Sequence, residues 1–170
     1  EIDILVEKQV GVIHNPTSNM KLASGVSPVQ TMLDAGVLMG LGTDGAANNN
    51  DLDMWEEMRL AALLQKSENA DPQALPAAAV LRMATIGGAE AIGLGDITGS
   101  IEVGKRADLI LVNYNDVHHI PSYDVVSHLV YVTDEQDVDT VIVDGTVLKR
   151  GDNFTTIDTQ RVASEARPLA

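Results

Sequence analysis

The stretch Val37-Leu38-Met39-Gly40-Leu41-Gly42-Thr43-Asp44-Gly45 decides how the rest of the chain is read. A short apolar run bounded by glycine is a strand buried on both faces, and such strands belong to parallel sheets whose crossover connections pack on those faces. Gly40 to Gly45 also matches the G-x-G-x-x-G dinucleotide fingerprint. That fingerprint works only when a helix opens at its third glycine, so that backbone N–H groups and the helix dipole meet a pyrophosphate. Here Ala46, Ala47, Asn48, Asn49 and Asn50 intervene. Moreover, the position about twenty residues on, where an acidic residue should bind the ribose, falls at Leu63 to Gln65 inside a helical pattern. The segment reads better outward from Asp44. A carboxylate just past the C-terminal end of a buried parallel strand stands where barrel enzymes keep their active sites, and there it can bind a divalent cation or act as general base on water. The alternative is an aspartate that only caps the loop that follows. Spacing alone leaves both open.

Upstream, Ile2, Leu5 and Val6 fall at helical spacing, so the chain opens in a helix already under way and reads as part of a longer polypeptide. Val10 to Ile13 form a second buried strand, ended by His14, Asn15 and Pro16. Val29, Met32, Leu33 and Ala35 make a helix that stops at Gly36. Helix, strand, helix, strand is the rhythm of a parallel α/β sheet. If the two strands are neighbours, His14 ends on the same rim as Asp44. It is then either a substrate-facing group or a histidine bonded to a nearby carbonyl that holds the Asn15-Pro16 turn. Asn15, Ser18 and Asn19 read as turn formers, and Asn48, Asn49 and Asn50 share that ambiguity.

Downstream, residues Asp51 to Lys66 are helical, with Asn50 or Asp51 as N-cap, and Glu56 and Glu57 read as a solvated face. Pro76 to Ile86 is a second helix, broken by Gly87-Gly88. From Gly99 the pattern changes to β-branched runs at Ser100–Val103, Ala107–Val112, Val125–Thr133 and Val138–Val143. Asp144-Gly145 predicts a tight hairpin into Thr146–Leu148, and Asp158 caps a last helix through Ala166. The chain therefore divides into an α/β segment, 1–98, and a small β segment with a C-terminal helix, 99–170. His118 and His119, read as strand neighbours, face opposite ways and are poor candidates for one shared metal.

Composition narrows the function classes. The 170 residues carry 25 acidic against 11 basic side chains, a formal charge of −14, which opposes nucleic acid and acidic membrane surfaces. Apolar residues are 45% and aromatics 3%, so the core is aliphatic, and no run approaches a membrane span. Without cysteine there are no disulfides or thiolate metal sites, which suits a cytoplasmic protein.

Three groups of residues carry a family resemblance: His14-Asn15-Pro16-Thr17-Ser18-Asn19, then Leu22-Ala23-Ser24-Gly25-Val26-Ser27-Pro28-Val29, then Gly42-Thr43-Asp44-Gly45-Ala46-Ala47 with Asn49-Asn50-Asp51-Leu52-Asp53-Met54. With Met83-Ala84-Thr85, Gly88-Ala89 and Gly99-Ser100-Ile101-Glu102-Val103-Gly104-Lys105-Arg106-Ala107-Asp108-Leu109, the chain resembles the amidohydrolase superfamily throughout. It is most similar to the branch of methylthioadenosine/S-adenosylhomocysteine deaminases and triazine hydrolases. The resemblance implies the C-terminal portion of a (β/α)8 metal-dependent hydrolase barrel plus a small β-sandwich, with the two strands as the seventh and eighth of the barrel. It implies that Asp44 contacts a divalent metal, zinc or iron, and accepts the proton of the attacking water. It also implies a small N-heterocyclic, adenosine-like substrate bordered by His14 and Asn48, and a homo-oligomer, while the acidic charge argues for no nucleic-acid or membrane partner. Asn48 stands where the branch commonly has serine. The family's other metal histidines and its acidic proton shuttle have no counterpart in this chain, so the polypeptide alone is expected to be inactive. The alternative is a non-catalytic scaffold or binding module derived from the same fold.

Overall fold

The computed structural model describes residues 1–169. The first half is built on two parallel strands, β1 (Val12–His14) and β2 (Met39–Leu41), paired in the register Val12–Met39, Ile13–Gly40 and His14–Leu41. Between them run α2 (Pro16–Lys21) and α3 (Val29–Asp34), and α1 (Ile2–Glu7) precedes them. Residues 16–21, expected as loop, are helical because Pro16 takes the first helical position, where its fixed φ is pre-organised and its missing N–H costs nothing.

The strand pair is covered by α4 (Met54–Glu68), α5 (Ala77–Met83) and α6 (Ile86–Ala91). Asp53 caps α4, its carboxylate accepting from the N–H groups of Trp55 and Glu56 at 2.8 and 3.3 Å. The helix thus starts later than the Asn50 or Asp51 cap expected from sequence. Gly87 and Gly88, expected to break a helix, lie inside α6. They are there for contact, since a Cβ on Gly40 of β2 would come within 2.8 Å of the Gly88 Cα. The break falls at Thr85 instead, whose φ of −126° and ψ of −111° are non-helical.

The second half contributes one antiparallel sheet in the order β3 (Leu109–Val112), β4 (Val138–Val143), β5 (Thr146–Arg150) and β6 (Asn153–Phe154). The β4–β5 turn is the expected two-residue hairpin, with Asp144 and Gly145 both at positive φ, 49° and 76°. Two expected strands are absent. Ser100–Val103 pairs with nothing, and Ile101 stands in solvent. Val125–Thr133 is a helix, α7 (Val125–Tyr131): Asp124 caps it by accepting from Ser127 N–H, and one face packs on α4 and α5. Tertiary packing here overrides the β propensity of Val125, Val126 and Val130. With that strand gone, the described residues form one four-stranded layer where a small β-sandwich is expected, with no second sheet packed on it.

The buried core is a single cluster that includes Val29, Met39, Trp55, Met58, Val80 and Met83 and also Val130 of α7, so the two halves of the chain share it. A final helix, α8 (Thr159–Ala166), is capped by Asp158 as expected and buries none of its residues. Among the described residues no helix is long and apolar enough to cross a membrane.

Candidate active site

The strand ends fix the rim. The Gly42 N–H donates to the His14 carbonyl at 3.0 Å, so β1 and β2 are tied together at their last paired residues. The chain then turns through Asp44 at φ 61°, a left-handed conformation that aspartate tolerates better than most residues. Its carboxylate is exposed and held from three sides: Oδ2 accepts from Ser18 Oγ at 2.7 Å and from Asn48 Nδ2 at 2.9 Å, and Oδ1 accepts from the Gly45 N–H at 2.8 Å. The Asn48 amide, the Ser18 hydroxyl and the Gly45 N–H hold its pKa below the ordinary aspartate value, so it is a carboxylate at neutral pH.

Two further side chains hold the loop that carries Asn48. Lys21 Nζ, on α2, bonds Asn50 Oδ1 at 2.5 Å and the Ala47 carbonyl at 3.2 Å. Glu57, on α4, is fully buried and accepts from Asn49 Nδ2 at 2.5 Å and from the Thr17 N–H at 3.2 Å. Burial raises its pKa and the hydrogen bonds from Thr17 oppose that rise. Glu57 is therefore not part of a solvated helix face. It joins α4 to α2 and to the asparagine loop, the two segments that supply Ser18 and Asn48 to the Asp44 carboxylate. Along α4 it shares a buried face with Ala61 and Gln65, four and eight residues on.

Of the residues singled out in the sequence, Asp44 and Asn48 are joined by a hydrogen bond, and Ser18 joins them as more than a turn former. His14 lies apart from that network. It is 3% exposed, and neither ring nitrogen has a hydrogen-bond partner, so it does not hold the Asn15-Pro16 turn through a carbonyl. Burial without a compensating contact lowers its pKa to about 4, which leaves it neutral.

Asp44 has the chemistry of one metal-ligand position: it is ionised, accessible, orientationally fixed and has lone-pair capacity beyond the three bonds it accepts. One carboxylate does not complete a zinc or iron site, which takes three or four protein donors. Among the described residues, the group of three ligating side chains that does converge lies elsewhere, at His118, His119 and Asp137. Those two histidines occupy a 3-10 turn, Val117–His119, and not a strand, so both rings reach the same carboxylate.

Residues 1–148 match the amidohydrolase family. The chain belongs to that family. A 5-methylthioadenosine/S-adenosylhomocysteine deaminase of Desulforudis audaxviator is 56% identical over all 170 residues, which cover 40% of that protein. A zinc-bound adenosine deaminase of Xanthomonas campestris superposes with a TM-score of 0.95 at 43% identity over 98% of this chain and 38% of that one. An atrazine chlorohydrolase of Arthrobacter aurescens complexed with zinc superposes with a TM-score of 0.89 at 30% identity, over 99% and 38% of the two chains. The chain thus spans about two fifths of the length of these amidohydrolases.

Proposed function

We propose that this chain is the C-terminal part of a metal-dependent amidohydrolase that removes an amino group from an adenosine-like or other N-heterocyclic substrate by hydrolysis. The observation that carries the reading is the Asp44 carboxylate, ionised and held by Ser18, Asn48 and Gly45 at the open end of two parallel strands. The named activities of the deaminase relatives supply the substrate class.

Asp44 would be one ligand of a divalent cation, zinc or iron, whose other ligands these residues do not supply. When bound, such a cation supplies a water acidic enough to be deprotonated near neutral pH. Asp44 would accept a proton from the attacking water as its oxygen adds to the ring carbon bearing the amino group. The same carboxylate would return that proton to the amino nitrogen as the ring C–N bond breaks, and the nitrogen would leave as ammonia. Ser18 and Asn48 keep the carboxylate from rotating during this exchange, and Glu57 fixes the loop that presents Asn48. His14, expected to border the substrate, is instead buried at the end of β1 and neutral, with almost no ring surface to offer a ligand.

On this reading residues 1–98 hold the last two strand-helix units of a barrel and residues 99–170 hold one layer of a small sandwich. A cavity lined by Ile13, Leu41, Gly88, Ile101 and Ile110 separates the strand pair from β3. Half of the Ile110 surface is exposed. Apolar strand surface left open there supports a covering segment from the rest of the enzyme or from another copy. With one carboxylate of the metal site among these residues, the chain by itself would be inactive. The test is ammonia release from an adenosine-like substrate by the complete gene product. The Asp44→Asn variant should lower kcat by about 10²- to 10⁴-fold, the range of a lost general base. Unchanged turnover in that variant would overturn the assignment and favour a non-catalytic scaffold.

A further inference from the structure

Between β3 and β4 the chain gathers histidines around a second carboxylate, on different elements from the Asp44 rim. Asp137 immediately precedes β4, is buried, and is oriented by the Asp134 N–H, which donates to its Oδ2 at 3.0 Å. His118 Nε2 stands 3.0 Å from Asp137 Oδ1 and 3.1 Å from Oδ2, and His119 Nε2 stands 3.3 Å from Oδ2. One ligand atom from each of the three side chains lies within 4.8 Å of the other two.

His119 is the informative member. Its ring has no exposed surface, yet neither nitrogen has a hydrogen-bond partner, and the close approach of Nε2 to the carboxylate lacks hydrogen-bond alignment. Nearby, His128 of α7, with its ring centroid 5.4 Å from that of His119, also has a buried Nε2 without a partner. Buried polar nitrogens are rarely left unpaired, because each gives up its bond to water and gains nothing. A cation resolves the geometry. Two donors on one tetrahedral zinc, each about 2.0–2.1 Å from it, stand about 3.3 Å apart, and their lone pairs point at the ion instead of at one another. The His119–Asp137 separation and misalignment are those of such a pair.

We infer that His118 Nε2, His119 Nε2 and the Asp137 carboxylate form a site for a divalent transition metal, with zinc the best match and a water in the fourth position. Imidazole donors select zinc-like ions over magnesium or calcium, which take oxygen. The site uses no residue of the Asp44 rim. Its effect is structural: it clips the 3-10 turn and the segment after β3 to the start of β4.

The experiment is a titration of the chelator-treated Asp44→Asn chain with Zn²⁺ and with Co²⁺, read by calorimetry and visible absorption. The expected result is one saturable equivalent, a raised Tm, and the intense visible bands of tetrahedral Co²⁺. His118→Ala removes a partly exposed ligand and leaves the buried pair in place, so circular dichroism should be unchanged while Zn²⁺ affinity falls at least about tenfold, the scale on which metal sites respond to altered ligand shells. His119→Gln should abolish the Co²⁺ bands. Failure to bind, or binding that His118→Ala and His119→Gln both leave unchanged, overturns the proposal. Neither result bears on the role of Asp44.

Discussion

The two sheets are made from similar residues and packed in opposite ways. β1 and β2 are three residues each and lie against α6 so closely that glycine is required at the contacts: a Cβ on Gly11, just before β1, would fall 1.9 Å from the Ala91 carbonyl oxygen at the end of α6. The antiparallel sheet β3–β6 is longer, yet Ile110, Leu111, Val143 and Phe154 are exposed and its hairpin glycine has open space around it. The candidate catalytic carboxylate emerges from the tightly packed pair and not from the roomier sheet. That difference has a physical reason: a group that must keep a fixed geometry stands on elements that cannot shift without a backbone collision.

The largest effect is expected of Gly11→Ala. The added methyl meets a backbone carbonyl that cannot rotate away, so α6 must separate from the strand pair. We expect a loss of roughly 4 kcal/mol, at the upper end of overpacking effects. A urea unfolding midpoint within error of the parent would show that the strand pair and α6 are not the rigid unit described.

A second prediction probes the same unit through pH. His14 is buried in the strand pair with its pKa lowered from 6.5 to about 4. The unfolded chain takes up the proton first, so between those values the unfolded state binds more protons and stability falls as pH falls. The loss begins near pH 6.5 and is complete near pH 4, and amounts to about 3 kcal/mol. His14→Leu should remove that component of the slope, measured by urea unfolding across the interval. An identical slope in the variant would mean that His14 is solvated.

These contrasts also explain what was legible in the sequence. The parallel pair, the Asp44 rim and the Asp144-Gly145 hairpin depend on local patterns: buried runs, glycine and turn residues at fixed offsets. The helix over Val125–Tyr131 does not, because only contacts with α4 and α5 favour burying Val130 in a helical backbone. Glu57 escaped for a related reason. A carboxylate is read as solvated unless its donors are known, and those donors, Asn49 and the Thr17 N–H, come from segments 8 and 40 residues away. His118 and His119 differ from their reading as strand neighbours for a geometric reason. A strand sends adjacent side chains to opposite faces, whereas the 3-10 turn that the chain adopts turns His118 and His119 toward one carboxylate.

The smallest expected effect belongs to the open sheet and completes the contrast. Gly145 sits at φ 76° with no atom within 4 Å of where a Cβ would stand, so Gly145→Ala meets no neighbour and costs only the left-handed backbone conformation, about 1 kcal/mol. The same chemical change, one hydrogen to one methyl, should therefore differ about fourfold in cost between Gly11 and Gly145. Paired unfolding curves measure this directly. Equal costs at the two positions would mean that backbone conformation dominates and that close packing of α6 on the strands adds little. A large excess at Gly11 would locate the rigidity behind Asp44 in that backbone contact.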